Sequence, residues 1–200
     1  MKERGITRPA PKAAIAAAVA LAGGGAALWG ALDPAAPGTA RPLGVVALIV
    51  GSLAAMNYFY ALTLVRRMQR GEGVIGRWTV APALFDRVRA AERNRTRRKN
   101  NWRLPRAAPP DGLPVIFTKE AVLVGDTYFR LASTGMSRFM HVRIDADPFA
   151  CIEFSMRLTV IGAGTQGRTA RYRGHLRIPI AQGADAEAAR VVAYFKSLVG

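Results

Sequence analysis

Two apolar runs with a short break between them constrain this chain more than anything else in it. Residues 13–32 carry no charge over 20 positions, and residues 43–65 run for 23 with Ser52, Asn57 and Thr63 as polar interruptions. At about 1.5 Å per residue, a 20-residue helix reaches roughly 30 Å, the hydrocarbon thickness of a bilayer. Lipid offers the backbone no hydrogen bonds, so each run is expected to be a helix that satisfies its own. The break, Asp33-Pro34 through Arg41-Pro42, is rich in Pro, Gly and Ala. A connection that short forces an antiparallel hairpin.

The flanks set the expected orientation. Lys2, Arg4, Arg8 and Lys12 precede the first run, Arg66, Arg67 and Arg70 follow the second, and the turn holds Arg41 alone. Positive residues stay on the cytoplasmic side, which predicts a two-span inner-membrane protein with both termini in the cytoplasm. A cleaved signal peptide followed by one anchor is the competing reading; the run is long for it, and Gly38-Thr39-Ala40 is a poor cleavage site. Small residues recur at four-residue spacing: Ala16, Ala20 and Gly24, or Ala22, Ala26 and Gly30, with Gly51 and Ala55 in the second run. Such stripes permit close helix packing within the hairpin or between copies of the chain, although Ala-rich helices also produce them by chance.

Charge is the next constraint. The chain carries 29 Lys and Arg against 13 Asp and Glu, a formal +16, which predicts attraction to polyanions and says nothing about fold. Thirteen of the basic residues fall in residues 66–106, against Glu72, Asp86 and Glu92, so that this segment alone has a net charge of +10. Its densest part is Arg93, Arg95, Arg97, Arg98, Lys99, Arg103 and Arg106, with Trp102 among them. Beside a membrane such a run is drawn to anionic headgroups, with Trp102 adding interfacial contact. As a nucleic-acid element the same residues would hold phosphates and stack a base. A plain solvated face is the third reading.

Four segments follow from the organisation: a basic N-terminus (1–12), the hairpin (13–65), a basic strand, helix and loop (66–112), and a β-rich domain with a final helix (113–200). Residues 74–80 alternate as a strand does, and Pro82 suits the first turn of a helix carrying Leu84, Phe85, Val88, Ala91 and Glu92. Strands are expected at 114–117, 121–124, 127–131, 139–144, 151–160 and 168–180, separated by turn residues. Asp185 is expected to cap a helix whose stripe is Ala188, Val191, Val192, Phe195 and Leu198. Alternation puts Ile152, Phe154, Met156 and Leu158 inside, with Tyr172, Leu176, Ile178 and Ile180. Arg171, Arg173, His175 and Arg177 then share one outer face, as a second candidate anion-binding set or as a solvated face paired with Glu153 or Asp145.

No catalytic constellation is evident, and the expectation is a non-enzyme without cofactor or metal. Cys151 is the single cysteine, without an identifiable base, and His141 and His175 are far apart in the chain. Residues 162–167 match G-x-G-x-x-G but lie between antiparallel strands, where a hairpin loop is expected rather than a nucleotide cradle.

Gly73-Val74-Ile75-Gly76-Arg77-Trp78 after the second run, and His175-Leu176-Arg177-Ile178-Pro179-Ile180 before the last helix, complete a pattern of seven strands and one C-terminal amphipathic helix. This resembles the pleckstrin-homology-like (PH-like) architecture, in the form found behind a helical hairpin in small bacterial membrane proteins. The insertion at residues 82–112 departs from it. The resemblance implies an α+β protein: a transmembrane hairpin, then a curved antiparallel sheet or partly open barrel plugged by the helix. It also implies a binding or scaffolding module. The expected partners are anionic lipids and a protein or a second copy of the chain, with a membrane-tethered nucleic-acid binder using residues 93–106 as the alternative.

Overall fold

The structure, a computed structural model, describes residues 5–95, 100–102, 104–161 and 169–199. It forms two compact units, one of residues 6–67 and the other of residues 1–5 with 68–200.

The first unit is a helical hairpin of α1 (Pro9–Leu32) and α2 (Ala40–Gln69), whose last two residues belong to the second unit. Both helices are long and apolar enough to cross a membrane, each with a mean hydropathy of 1.8 over its best window. Only 11% and 17% of those windows are buried, unlike the core helices of a soluble protein. Leu21, Leu28, Leu43, Ile49, Leu53 and Met56 all stand exposed. Pro9 opens α1 at a position where its missing N–H leaves no bond unmade. Asp33 closes it: the Trp29 indole N–H donates to Asp33 Oδ2 at 3.0 Å, and Asp33 Oδ1 accepts the Ala35 N–H at 2.8 Å.

The glycines of the hairpin seam recur at seven residues, and Ala16, Ala20 and Gly51 of the four-residue stripes lie in it as well. A Cβ on Gly23 would lie 2.5 Å from the Leu48 amide nitrogen, and one on Gly51 2.6 Å from that of Ala20. Gly30 meets Arg41, and Gly44 meets Ala27, in the same way. Gly24, on the four-residue stripe, would make an ordinary contact at 3.7 Å. Two helices crossing at a shallow angle keep one face together only at a mean spacing of 3.5 residues, which selects Gly23 with Gly30 and Gly44 with Gly51.

The second unit is α+β. Four strands of its first sheet run antiparallel in the order β4-β3-β2-β1: β1 (Val74–Val80), β2 (Leu113–Thr118), β3 (Ala121–Val124) and β4 (Thr127–Arg130). Val80 pairs with Leu113 and Trp78 with Val115. Helix α3 (Pro82–Asn94) lies between β1 and β2 in the chain. The second sheet, order β5-β6-β7, consists of β5 (Ser137–Asp145), β6 (Cys151–Ile161) and β7 (Thr169–Pro179), again antiparallel. Helix α4 (Asp185–Lys196) follows. Asp185 is the first helical residue rather than the cap, which is Ala184; with Glu187 it places negative charge at the helix N-terminus.

These are two sheets, not one closed barrel. The chain leaves β4, turns with Gly135 at φ 90°, and starts a new ladder at β5. Side chains join the layers instead. Phe195 of α4 packs edge-on against Phe139 and Phe154 of the second sheet, with ring centroids 5.5 and 5.3 Å away. It meets Phe117 of the first sheet at 6.4 Å. The buried Trp78 indole N–H donates to the Pro179 carbonyl at 2.9 Å, tying β1 to the end of β7. Gly76 gives α4 room against β1, since a Cβ there would lie 2.5 Å from Val191 Cγ2. The main core runs through both sheets and includes Phe85 of α3 and Trp102.

Candidate functional site

The outer face of the second sheet carries charge in rows, because facing residues on three antiparallel strands fall in register and every second residue points the same way. From one end the rows are Asp145–Cys151–Pro179, Arg143–Glu153–Arg177, His141–Ser155–His175 and Arg138–Arg157–Arg173. Arg171 extends the last strand beyond them, opposite Thr159. A bulge between Phe139 and His141 keeps the two histidines on one row.

Helix α3 covers the first end. Its Val88 packs with Phe149 and Cys151, flanked by Leu84, Ala91 and Leu104. Burial pushes the Cys151 thiol up to about 12, so it stays protonated and serves packing. One turn on, Glu92 reaches Arg177: Arg177 Nε donates to Oε1 at 2.8 Å and NH2 donates to Oε2 at 3.0 Å. Arg177 is 1% exposed and the Glu92 side chain 5%, so this is a bidentate pair taken out of water. Asn100 completes the enclosure by imitating a strand. Its Nδ2 donates to the Arg177 carbonyl at 2.9 Å, its Oδ1 accepts the Arg177 N–H at 3.2 Å, and the Asn101 N–H donates to the His175 carbonyl at 2.7 Å.

Glu153 is the pivot of the middle rows. Arg143 donates to its Oε2 from Nε and NH2 at 2.9 and 2.7 Å, and His175 Nδ1 lies 2.9 Å from Oε1. Burial pushes the Glu153 carboxyl up, but the hydrogen bond and charge of Arg143, with His175 and Arg177, outweigh it and hold it below its ordinary value. The same hydrogen bond and charge raise Arg143. Ser155 stands between the two histidines on the same row.

Two cavities open on this region. One, of about 370 Å³, is lined by Arg89, Glu92, Arg93, Asn100, Trp102, Leu104, Pro105 and Arg106. Three guanidiniums surround it, and its carboxylate is already held by Arg177. Among the described residues the buried Trp102 indole N–H has no acceptor. The other, of about 320 Å³, is bounded by both histidines with Ser155, Arg157 and Arg173.

The residues expected from sequence therefore divide. Arg93 and Arg106 are exposed and share the first cavity. Arg95 turns to Glu92 at 3.9 Å and to the Asp147 carbonyl at 3.3 Å. Arg97, Arg98, Lys99 and Arg103 lie outside the described residues, as does the glycine-rich stretch 162–167. Trp102 is corrected from an interfacial residue to a core one: it is 2% exposed and edge-on to Phe85. Arg177 is corrected from an open sheet face to a buried pair, because α3 folds over its end of the strand. Arg171, Arg173 and His175 remain on the uncovered part. Sequence reasoning missed Arg89, Glu92 and Asn100 as site residues, and Arg138 and Arg157 as companions of Arg173. The alternation of β5 and β6 held a signal for the last two; nothing local marks Glu92, whose partner is 85 residues away.

No family model matches this chain, and no curated protein or solved structure is significantly similar to it.

Proposed function

We propose that this protein is a membrane-anchored, non-catalytic binding module that docks on anionic headgroups. In this reading the hairpin spans the inner membrane with both termini cytoplasmic, and the basic unit holds anionic lipid through Arg89, Arg93 and Arg106. The observation that carries it is the gathering of these three guanidiniums around one cavity, in a unit whose first strand begins five residues after an apolar helix ends. Each Lys or Arg close to an anionic surface contributes about 1 kcal/mol, so three suffice for reversible docking once the hairpin confines the unit near lipid. The two antiparallel sheets with a helix wedged between their aromatic faces support a PH-like module, and the protonated Cys151 thiol suits a packing role. A nucleic-acid reading is weaker, because Trp102 is buried and offers no ring face to a base.

Flotation of residues 68–200 with vesicles tests this. Binding to vesicles containing phosphatidylglycerol, absent on phosphatidylcholine and fading with salt, is expected; Arg93→Glu with Arg106→Glu should weaken it about tenfold or more. Equal binding by the variant, or no binding by a folded fragment, would overturn the proposal.

A further inference from the structure

Beyond lipid docking, the uncovered end of the second sheet holds an arrangement that charge alone makes unfavourable. Arg138, Arg157 and Arg173 stand directly opposite one another across β5, β6 and β7. Adjacent strands are about 4.8 Å apart, so three guanidinium-bearing side chains rise within roughly 10 Å. Like charges directly opposite on a sheet destabilise it. Among the described residues none of the three has a carboxylate within ion-pair distance. The acids of this face sit toward the covered end and are engaged there: Glu153 by Arg143 and His175, Glu92 by Arg177. The next row supplies neutral and titratable donors, His141, Ser155 and His175, about 7 Å further along the strands. Between the two rows lies the cavity of about 320 Å³, bounded by Arg157, Arg173 and all three residues of that row.

We propose that this cavity is a binding site for a phosphate group carrying two or more negative charges. The chemistry is specific in kind. Planar guanidiniums present paired N–H donors that match phosphate oxygens, and the serine hydroxyl and imidazoles supply further donors beside them. A bound dianion also offsets the repulsion between Arg157 and Arg173, which stand opposite one another. Such a group comes from a soluble molecule or from the end of a lipid headgroup. Chemically the site is the same, and the source is for experiment to decide. This site is separate from the Arg89, Arg93 and Arg106 cluster, so it does not stand or fall with the docking proposed above.

The chain has two histidines, and both border the cavity, which gives a direct reporter. The full chain is placed in neutral phosphatidylcholine nanodiscs with ¹⁵N-labelled histidine and titrated with pyrophosphate, then separately reconstituted with phosphatidic acid. Saturable shifts of both imidazole signals with pyrophosphate identify a soluble ligand; shifts in phosphatidic acid discs alone identify a headgroup. Either outcome supports the site. Arg157→Gln and Arg173→Gln should each weaken binding about tenfold or more, as loss of a charge-assisted bond does. Thermal melting separates this role from a structural one. Without anion, Arg157→Gln should melt about 2–4 °C higher than the parent, because repulsion is relieved, whereas loss of a structural arginine would lower the midpoint. Pyrophosphate should raise the parent's midpoint and leave the variant's unchanged. Imidazole signals that move in neither arm, or binding that Arg157→Gln leaves intact, would overturn the proposal.

Discussion

Arg177 shows how much one residue's surroundings change the meaning of its charge. On the open part of β7 an arginine is a solvated cation, but at position 177 it lies under α3 against Glu92, with both of its bonds to that carboxylate made. Bringing two ions out of water is expensive, and their attraction offsets the expense only while both are present. Replacing Glu92 with Gln therefore leaves a buried cation without its counter-charge. The expected loss is about 3–5 kcal/mol, read as a lower urea midpoint of residues 68–200. Glu92→Leu combined with Arg177→Met should recover most of it, because the double variant buries no charge at all. If Glu92→Gln cost no more than a surface substitution, the pair would be solvated in solution. None of this was visible in the sequence. The alternation of residues 171–177 gives the face on which Arg177 lies, but not the element that covers that face, since α3 and β7 are brought together only by the tertiary fold.

Elements were more legible, because periodicity is a local property. The seven expected strands all form, with ends shifted by one or two residues, and the final helix runs from Asp185 to Lys196 as its apolar stripe implied. What alternation does not contain is which strands share a ladder, and so it does not give the division into two sheets. In the hairpin the apolar runs give the two helices and the small residues give close approach: of the four-residue stripes, Ala16, Ala20, Gly30 and Gly51 lie in the seam, and Gly24 lies beside it. Gly23 and Gly44 are missed, because glycines seven apart are separated by two turns and motif reading at one-turn spacing passes over them. The distinction is testable. Gly44→Val would drive its side chain into the backbone of α1 at Ala27, whereas Gly25 has nothing within 4 Å of a Cβ. With spin labels on Leu21 and Ile49 in nanodiscs, Gly44→Val should lengthen and broaden the distance between α1 and α2, and Gly25→Val should leave it unchanged. Equal effects from both would show that the seam does not pack through Gly44.

At the scale of the whole molecule, the question is what makes the two sheets and two helices of the second unit behave as one body. No continuous ladder joins the sheets, so cooperativity has to pass through side chains. Every buried member of the main core, from Trp78 to Phe195, belongs to residues 68–200. That fragment should therefore fold without the apolar hairpin, giving a near-ultraviolet aromatic spectrum and one melting transition. Within it Phe195 occupies the joint, touching Phe117 on one sheet and Phe139 and Phe154 on the other. Removing a buried phenylalanine costs about 3–5 kcal/mol where the space cannot collapse, and a residue wedged between two layers leaves space that neither layer can fill alone. Phe195→Ala should lower the fragment's stability by that amount. In a Trp102→Phe background, tryptophan fluorescence from Trp78 in the first sheet and hydrogen exchange in β6 should then report the same lowered midpoint, since both sheets lose the same contact at once. Separate midpoints for the two probes would mean that the sheets are independently stable, and that α4 joins them without making them one cooperative unit.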